Sequence, residues 1–292
     1  MSALLTCETR VIVGGITGKA ARLHTSIMKA YGTRVVGGVR PGAAGQTVEG
    51  APVFDTMADA VAETGGDAAV LFVPAGRVRQ AAFETLDAGI KLVVMVPEHV
   101  PLHDTMAIVQ RAEELGARVV GPNTPGIIRP SVRTKLGFLP EAYFTEGPVA
   151  VASRSGTLTY EIVMRLTRAG IGQSTCIGCG GDPIVATTFP QALELFEADD
   201  DTEAVVLIGE IGGSMEEEAA ALRQAGKVTK PVVCFLAGRN APPEKRMGHA
   251  GAIVAAGRGT IDSKLDAMAA AQIPVADLPS DVVPLVEAAL GR

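Results

Sequence analysis

The sequence segment most pointed toward chemistry is Arg246-Met247-Gly248-His249-Ala250-Gly251-Ala252-Ile253. An imidazole set among glycines and alanines has room to face a reactant. If a carboxylate takes its Nδ1 proton, Nε2 is left free as a nucleophile. Gly209-Glu210-Ile211-Gly212-Gly213, at the close of a predicted strand in the same half, supplies such a carboxylate. Gly251 and Gly257-Arg258-Gly259 add flexible, anion-friendly surroundings. A lone histidine is more often structural; the carboxylate and the glycines shift that balance.

Three further segments have the make-up of phosphate-binding turns. Gly14-Gly15-Ile16-Thr17-Gly18 follows a predicted strand and precedes a helix, with Lys19 and Arg22 adding charge. Glycines there allow a tight turn and let a phosphate approach the backbone and the positive end of the helix dipole. A dinucleotide site also needs an acidic residue closing the second strand. Gly37-Gly38-Val39-Arg40-Pro41-Gly42 puts Arg40 there instead, which favours a phosphorylated ligand other than NAD and speaks against an NAD-dependent oxidoreductase. Gly121-Pro122-Asn123-Thr124-Pro125-Gly126 ends the fifth predicted strand, where parallel sheets bind ligands, although its composition also suits a plain linker. Ser153-Arg154-Ser155-Gly156-Thr157-Leu158-Thr159 would present hydroxyls and N–H groups to an anion, or serve only as an N-cap. Cys176-x-x-Cys179 has no second pair and no nearby histidine, so a zinc site is not expected; a redox dithiol stays open but has no thioredoxin-like context.

These residues need elements to position them. Apolar runs over 10–13, 34–39, 68–73, 91–96 and 118–120 read as strands buried on both faces, with helical patterns over 21–31, 57–63, 78–88 and 105–115 between them. Strict alternation means βαβ units and a parallel sheet. Pro122, Pro125, Pro130, Pro140 and Pro148 then crowd one stretch with Gly126, Gly137 and Gly147, predicting linker or irregular loop and a domain boundary near Glu146. Alternation restarts with strands over 149–152, 174–177, 204–208, 232–236 and 275–276, and helices over 158–168, 189–197, 216–224, 262–270 and 283–290.

Bulk properties bound the partners. The 292 residues suffice for two α/β domains, and 47% hydrophobic against 20% charged residues excludes a disordered chain. A net charge of −6 argues against a nucleic-acid partner. No apolar stretch is long enough to cross a membrane, and the start of the chain lacks the pattern of a signal peptide. Four cysteines without a framework point to reduced thiols and a cytoplasmic setting.

Together these segments resemble the α subunit of succinyl-CoA synthetase over essentially the whole chain. The likeness runs through Gly15 to Gly18, Tyr31-Gly32-Thr33, Gly37-Gly38-Val39, Pro52-Val53-Phe54, Asp87 to Lys91, Gly121-Pro122-Asn123, Ser153 to Glu161, Gly172 to Cys176, Gly180 to Pro183, Gly209 to Gly213 and Lys245 to Ile253. The resemblance implies a Rossmann-type CoA-binding domain over 1–146, followed by a flavodoxin-like parallel-sheet ligase domain over 147–292. Thr17, Gly18, Lys19 and Arg40 would meet CoA phosphates, and the Pro74, Glu98 and Asn123 region would line the pantetheine arm. His249 would be phosphorylated during turnover, Glu210 would orient it, and Ser155, Gly156 and Thr157 would hold the phosphoryl group. A β subunit with an ATP-grasp fold, in an αβ or α2β2 assembly, would bring Mg-ATP or Mg-GTP and much of the carboxylate site; no metal site is implied on this chain.

Some positions depart from the family pattern. Pro41-Gly42-Ala43-Ala44-Gly45 lacks a lysine usual at Ala43, Lys19-Ala20-Ala21 lacks a further glycine, Thr124 stands where a cysteine is common, and 129–144 is divergent. These changes bear on CoA affinity and the choice of acid. Succinate is the expected substrate, with a related ligase for malate, itaconate or another small carboxylate as the alternative. A non-catalytic CoA-sensing protein would be expected to lack His249 or Glu210, and both are present.

Overall fold

The computed structural model describes residues 4–239, 248–254 and 259–292. Arg246, Met247, Gly257 and Arg258 lie outside the described residues. The chain forms two compact units, one of residues 4–139 with Ile184–Ala186, the other of Pro140–Pro183 with the described part of Thr187–Arg292.

The first unit contains β1 (Arg10–Gly14), α1 (Lys19–Tyr31), β2 (Arg34–Val39), β3 (Thr47–Val48), β4 (Ala51–Phe54), α2 (Met57–Thr64) and β5 (Ala68–Leu71). It continues with α3 (Val78–Asp87), β6 (Leu92–Met95), α4 (Leu102–Glu114), β7 (Arg118–Val120), β8 (Gly126–Arg129) and β9 (Thr134–Gly137). Seven strands lie in the order β3-β4-β2-β1-β5-β6-β7, all parallel except β3 against β4. Leaving β3 aside, that is the 3-2-1-4-5-6 order of a Rossmann sheet. β5 and β6 are buried along their whole length because helices cover both faces. Fully buried Val93 and Val94 point to opposite faces of β6, and burying each side chain contributes about 1.5–3 kcal/mol.

The second unit contains β10 (Glu146–Ser153), α5 (Gly156–Arg168), β11 (Gln173–Gly178), α6 (Phe189–Glu197), β12 (Ala204–Glu210), α7 (Met215–Gln224), β13 (Val232–Ala237), α8 (Ile261–Ala270), β14 (Val275–Ala276) and α9 (Val282–Ala289). Its strands run parallel in the order β14-β13-β12-β10-β11. Numbered within the unit, that is 2-1-3-4-5, the flavodoxin-like order.

One expectation is corrected. The proline- and glycine-rich stretch read as linker contains an antiparallel hairpin, β8 with β9, in register from Gly126↔Gly137 to Arg129↔Thr134. Ile127, Ile128 and Leu136 are fully buried. The glycines serve close approach rather than looseness: a Cβ on Gly126 would sit 1.9 Å from the Leu136 carbonyl oxygen, with φ at +108°. β4, carrying Pro52 and only four residues long, was also absent from the sequence reading. Among the described residues no helix is long and apolar enough to cross a membrane.

Candidate active site

In an open α/β sheet the loops at the carboxyl ends of strands flanking the order reversal form a crevice. In the first unit that reversal lies between β1 and β5, and a cavity of about 790 Å³ opens there. Thr17, Gly18, Arg40 and Pro74 from the sequence reading line it, and Arg77 joins them. Gly15 turns the chain at φ +75°, and a Cβ on it would meet the Phe72 carbonyl oxygen at 2.9 Å. Gly18 caps α1 without a side-chain hydrogen bond, and the first turn of α1 carries no acid. That end therefore keeps its positive partial charge and donor N–H groups for a phosphate. Lys19 is exposed at the start of α1, and Arg22 Nε donates to the Thr17 carbonyl at 3.1 Å.

Lys19, Glu98 and Asn123 are not among the lining residues. Glu98 is exposed beyond β6, paired with His99 at 3.7 Å, and Asn123 lies beyond β7 with its N–H donating to the Pro97 carbonyl at 2.8 Å. All follow carboxyl ends of neighbouring strands on the cavity's side of the sheet. Where the family lysine is missing, the N–H groups of Ala43 and Ala44 both donate to Asp55 Oδ1 at 3.1 Å. This turn is thus closed by an internal carboxylate.

In the second unit the reversal lies between β10 and β12, and the candidate residues His249, Glu210 and the Ser155 turn converge there. Glu210 ends β12, and its carboxylate receives His249 Nδ1 at 2.8 Å to Oε2 and 3.1 Å to Oε1. The Glu210 side chain is 8% exposed and that of His249 29%, so the ring is held from within and open on its outer side. Gly181 makes room for it: a Cβ there would lie 2.5 Å from the imidazole Cγ. Gly251 N–H donates to the Gly181 carbonyl at 3.0 Å, seating the histidine loop. Gly212, at φ +83°, lets the same loop cross: its Cβ would meet the Gly251 carbonyl at 2.3 Å. The hydrogen bond to Glu210 raises the His249 pKa, with Glu210's charge and Asp182 adding to it; burial and the Arg154 charge oppose.

Ser155 caps α5, its side chain accepting the Leu158 N–H at 3.4 Å, and Gly156 and Thr157 open the helix. The first N–H groups of that helix have no intrahelical acceptor, which makes this end suited to an anion. β10 pairs β12 with Ser153 opposite Ile208, so this helix start and Glu210 project from adjacent strand ends.

The sequence reading missed a set of charges joined to Glu210. Arg154 was quoted only within a hydroxyl-bearing motif, yet it is 3% exposed and pairs with Glu210 Oε1 at 3.3 Å and Glu216 Oε1 at 3.2 Å. Glu216 and Lys264 are both fully buried and paired with each other. In sequence Glu216 is the first of three consecutive glutamates, a pattern that reads as a solvated helix start; only Arg154, next to the Ser-Gly-Thr turn, carried a usable signal. Cys176, Cys179 and Cys234 are buried free thiols. Burial pushes the Cys179 thiol up to about 12 and the other two higher, so they stay protonated. Among the described residues no cluster of three His, Cys, Asp or Glu stands ready for a metal.

The comparisons agree with this division. The CoA binding domain family matches residues 6–99, and the CoA-ligase family matches residues 152–273. The succinate–CoA ligase [ADP-forming] subunit alpha of Methanothermobacter thermautotrophicus is 50% identical over 288 residues, 99% of this chain and 97% of that relative. The subunit of the same name from Staphylococcus aureus is 46% identical over 99% of this chain and 95% of its own. Among solved structures, ATP citrate lyase from Methanothrix soehngenii, in complex with citrate and coenzyme A, superposes with a TM-score of 0.88 at 22% identity. It covers 99% of this chain, which spans about half (51%) of that longer one, and it shows the shared fold. Near-complete coverage at such identity, with the CoA binding domain and CoA-ligase families matched in order, makes this chain a member of the succinate–CoA ligase alpha-subunit family.

Proposed function

We propose that this chain is the alpha subunit of an ADP-forming acid–thiol ligase that makes succinyl-CoA from succinate, CoA and ATP, with His249 as phosphoryl carrier. The observation that carries the assignment is the buried Glu210 carboxylate on His249 Nδ1 at 2.8 Å. It holds the proton on Nδ1 and leaves the Nε2 lone pair to attack the γ-phosphorus of the nucleotide, expelling ADP. The phosphoryl group then passes to a succinate carboxylate oxygen, restoring neutral His249 and converting a poor leaving group into a good one. The CoA thiol attacks the acyl phosphate, loses its proton and expels phosphate.

The residues divide the labour. The 1–146 domain binds CoA: Thr17, Gly18, Lys19 and Arg40 face its phosphates, and Pro74, Glu98 and Asn123 flank its pantetheine arm. The 147–292 domain does the phosphoryl chemistry, with Ser155, Gly156 and Thr157 at the α5 N-terminus stabilising the moving negative charge. Mg-nucleotide is brought by a β subunit of ATP-grasp fold, in an αβ or α2β2 assembly, and the ADP-forming relatives favour ATP.

The test is the intact mass of this chain, purified with its β subunit and incubated with Mg-ATP. A gain of one acid-labile phosphate, lost on succinate and CoA addition and absent in His249→Ala, is expected. No gain in a complex that binds nucleotide would overturn the carrier role. Screening carboxylates on the phosphorylated complex then identifies the acid.

A further inference from the structure

The carboxylate that holds His249 is itself held. Arg154 Nη2 pairs with Glu210 Oε1 at 3.3 Å, and Nη1 donates to the Glu210 backbone carbonyl at 3.1 Å and the Gly212 carbonyl at 2.7 Å. Nη2 also donates to the Gly251 carbonyl at 3.3 Å, two residues past the histidine. One guanidinium therefore grips the orienting carboxylate, the turn after β12 and the histidine loop at once. Behind it, Glu216 Oε1 accepts from both Arg154 Nη1 at 3.2 Å and the Glu210 N–H at 3.1 Å. Fully buried Lys264 pairs with Glu216 and with Glu217 Oε2 at 2.9 Å, and donates to the Gly213 carbonyl at 3.0 Å. Charge alternates along the chain of contacts Glu210–Arg154–Glu216–Lys264–Glu217, with His249 at its outer end.

Taking four full charges out of water costs more than a structural tie at this place requires, since apolar residues of similar size pack as well. What an alternating row provides is direction. A planar guanidinium with donors in fixed directions holds the Glu210 carboxylate, the Glu216 carboxylate and the loop carbonyls at set angles to one another, which a point charge does not. Arg154 Nε is buried with no hydrogen-bond partner, so the group is positioned through its Nη atoms alone, the edge that faces Glu210 and the loop.

We propose that Arg154, backed by Glu216 and Lys264, is the positioning residue of the phosphohistidine site: it sets the Glu210 carboxylate against Nδ1 and seats the loop through Gly251. This rests on the carrier role of His249. Among the described residues, the charged groups facing His249 are Glu210, Asp182 and, one contact further, Arg154 with Glu216. Arg154 works against protonation of the imidazole and Glu216 stands behind it with the opposite sign.

The experiment is the rate of phosphate gain from Mg-ATP as a function of pH, in the assembled complex, for wild type, Arg154→Lys, Arg154→Gln and Glu216→Gln. Arg154→Lys keeps the charge but loses the fork, so its rate falls about 100-fold, as for a misplaced reacting group, while its acid limb stays put. Arg154→Gln removes a cation near the imidazole and moves the acid limb to higher pH. Glu216→Gln removes an anion and moves it to lower pH. Opposite shifts in two variants are not produced by loosened packing. Wild-type rate in Arg154→Lys, or acid limbs unmoved in the two glutamine variants, would overturn the proposal. If Arg154→Gln does not assemble, Arg154→Lys and Glu216→Gln decide it by the same criteria. No phosphate on wild type removes the carrier reading and this one together, whereas a phosphorylated wild type with unchanged variants removes only this one.

Discussion

The cavity of the first unit and the histidine site of the second occupy equivalent places, each at the order reversal of a parallel sheet. They are built in opposite ways. At the cavity the cations Arg40 and Arg77 are exposed, the glycine turn offers backbone N–H groups, and the α1 N-terminus has no side-chain cap. At the histidine Glu210, Arg154, Glu216 and Lys264 are buried and bonded to one another, while the imidazole is partly open to solvent. Exposed charges in water attract a ligand weakly and adaptably. Buried, mutually bonded charges orient one atom and tolerate little change. The first arrangement suits holding a long phosphorylated ligand such as CoA; the second suits bond making at a single nitrogen.

Perturbations should therefore bite far harder in the second unit. Glu210→Gln keeps the size of the side chain but loses the charge on Nδ1, and phosphorylation of His249 should slow by about 10²-fold or more, with CoA affinity unchanged. Rapid-quench measurement on the complex checks this; an unchanged rate would remove Glu210 from the site. Gly181→Ala puts a methyl group where the His249 ring lies, 2.5 Å from Cγ. The ring must shift, and the same rate should fall by about 100-fold while thermal stability changes little, since the loop gives way before the sheet does.

In the first unit, Arg40→Ala should weaken CoA only a few-fold, about what an exposed charge contributes, and should weaken dephospho-CoA less. Calorimetry with both ligands separates the cases, and equal losses would mean that Arg40 does not take over from the lysine missing at Ala43. The smallest effect is on stability. Because the folded-state pKa of His249 is raised, protonated His249 stabilises the fold fully below its ordinary pKa of about 6.5, and that contribution is lost as pH rises through the folded value. The Tm difference between wild type and His249→Ala should shrink over that window. Phosphorylation rate should run the other way, falling as pH drops through the same raised pKa, because a protonated Nε2 has no lone pair to attack with.

Much of this was legible in the residues. Alternating Val-rich runs and helical patterns specify two parallel sheets because strands buried on both faces take mostly apolar side chains. The Gly14–Gly18 turn and His249 with Glu210 stood out because loops without bulky side chains are chosen for what must approach them. The hairpin at 126–137 did not stand out. Its glycines answer a contact between two backbones far closer than side chains allow, and such a contact has no sequence neighbour to announce it.

By itself, then, the sequence determined the two α/β halves, the candidate imidazole and carboxylate, and the family resemblance. These depend on local pattern and residue chemistry. The tertiary structure alone decided that Arg154, Glu216 and Lys264, separated by up to 110 positions, form one charged row behind Glu210, and that the Ala43 turn is closed by Asp55. Burial inverts the meaning of a charge: a glutamate that reads as a solvated helix start becomes, once out of water, a group that must find its counterion, and only the packing of α7 and α8 at the end of β12 says which.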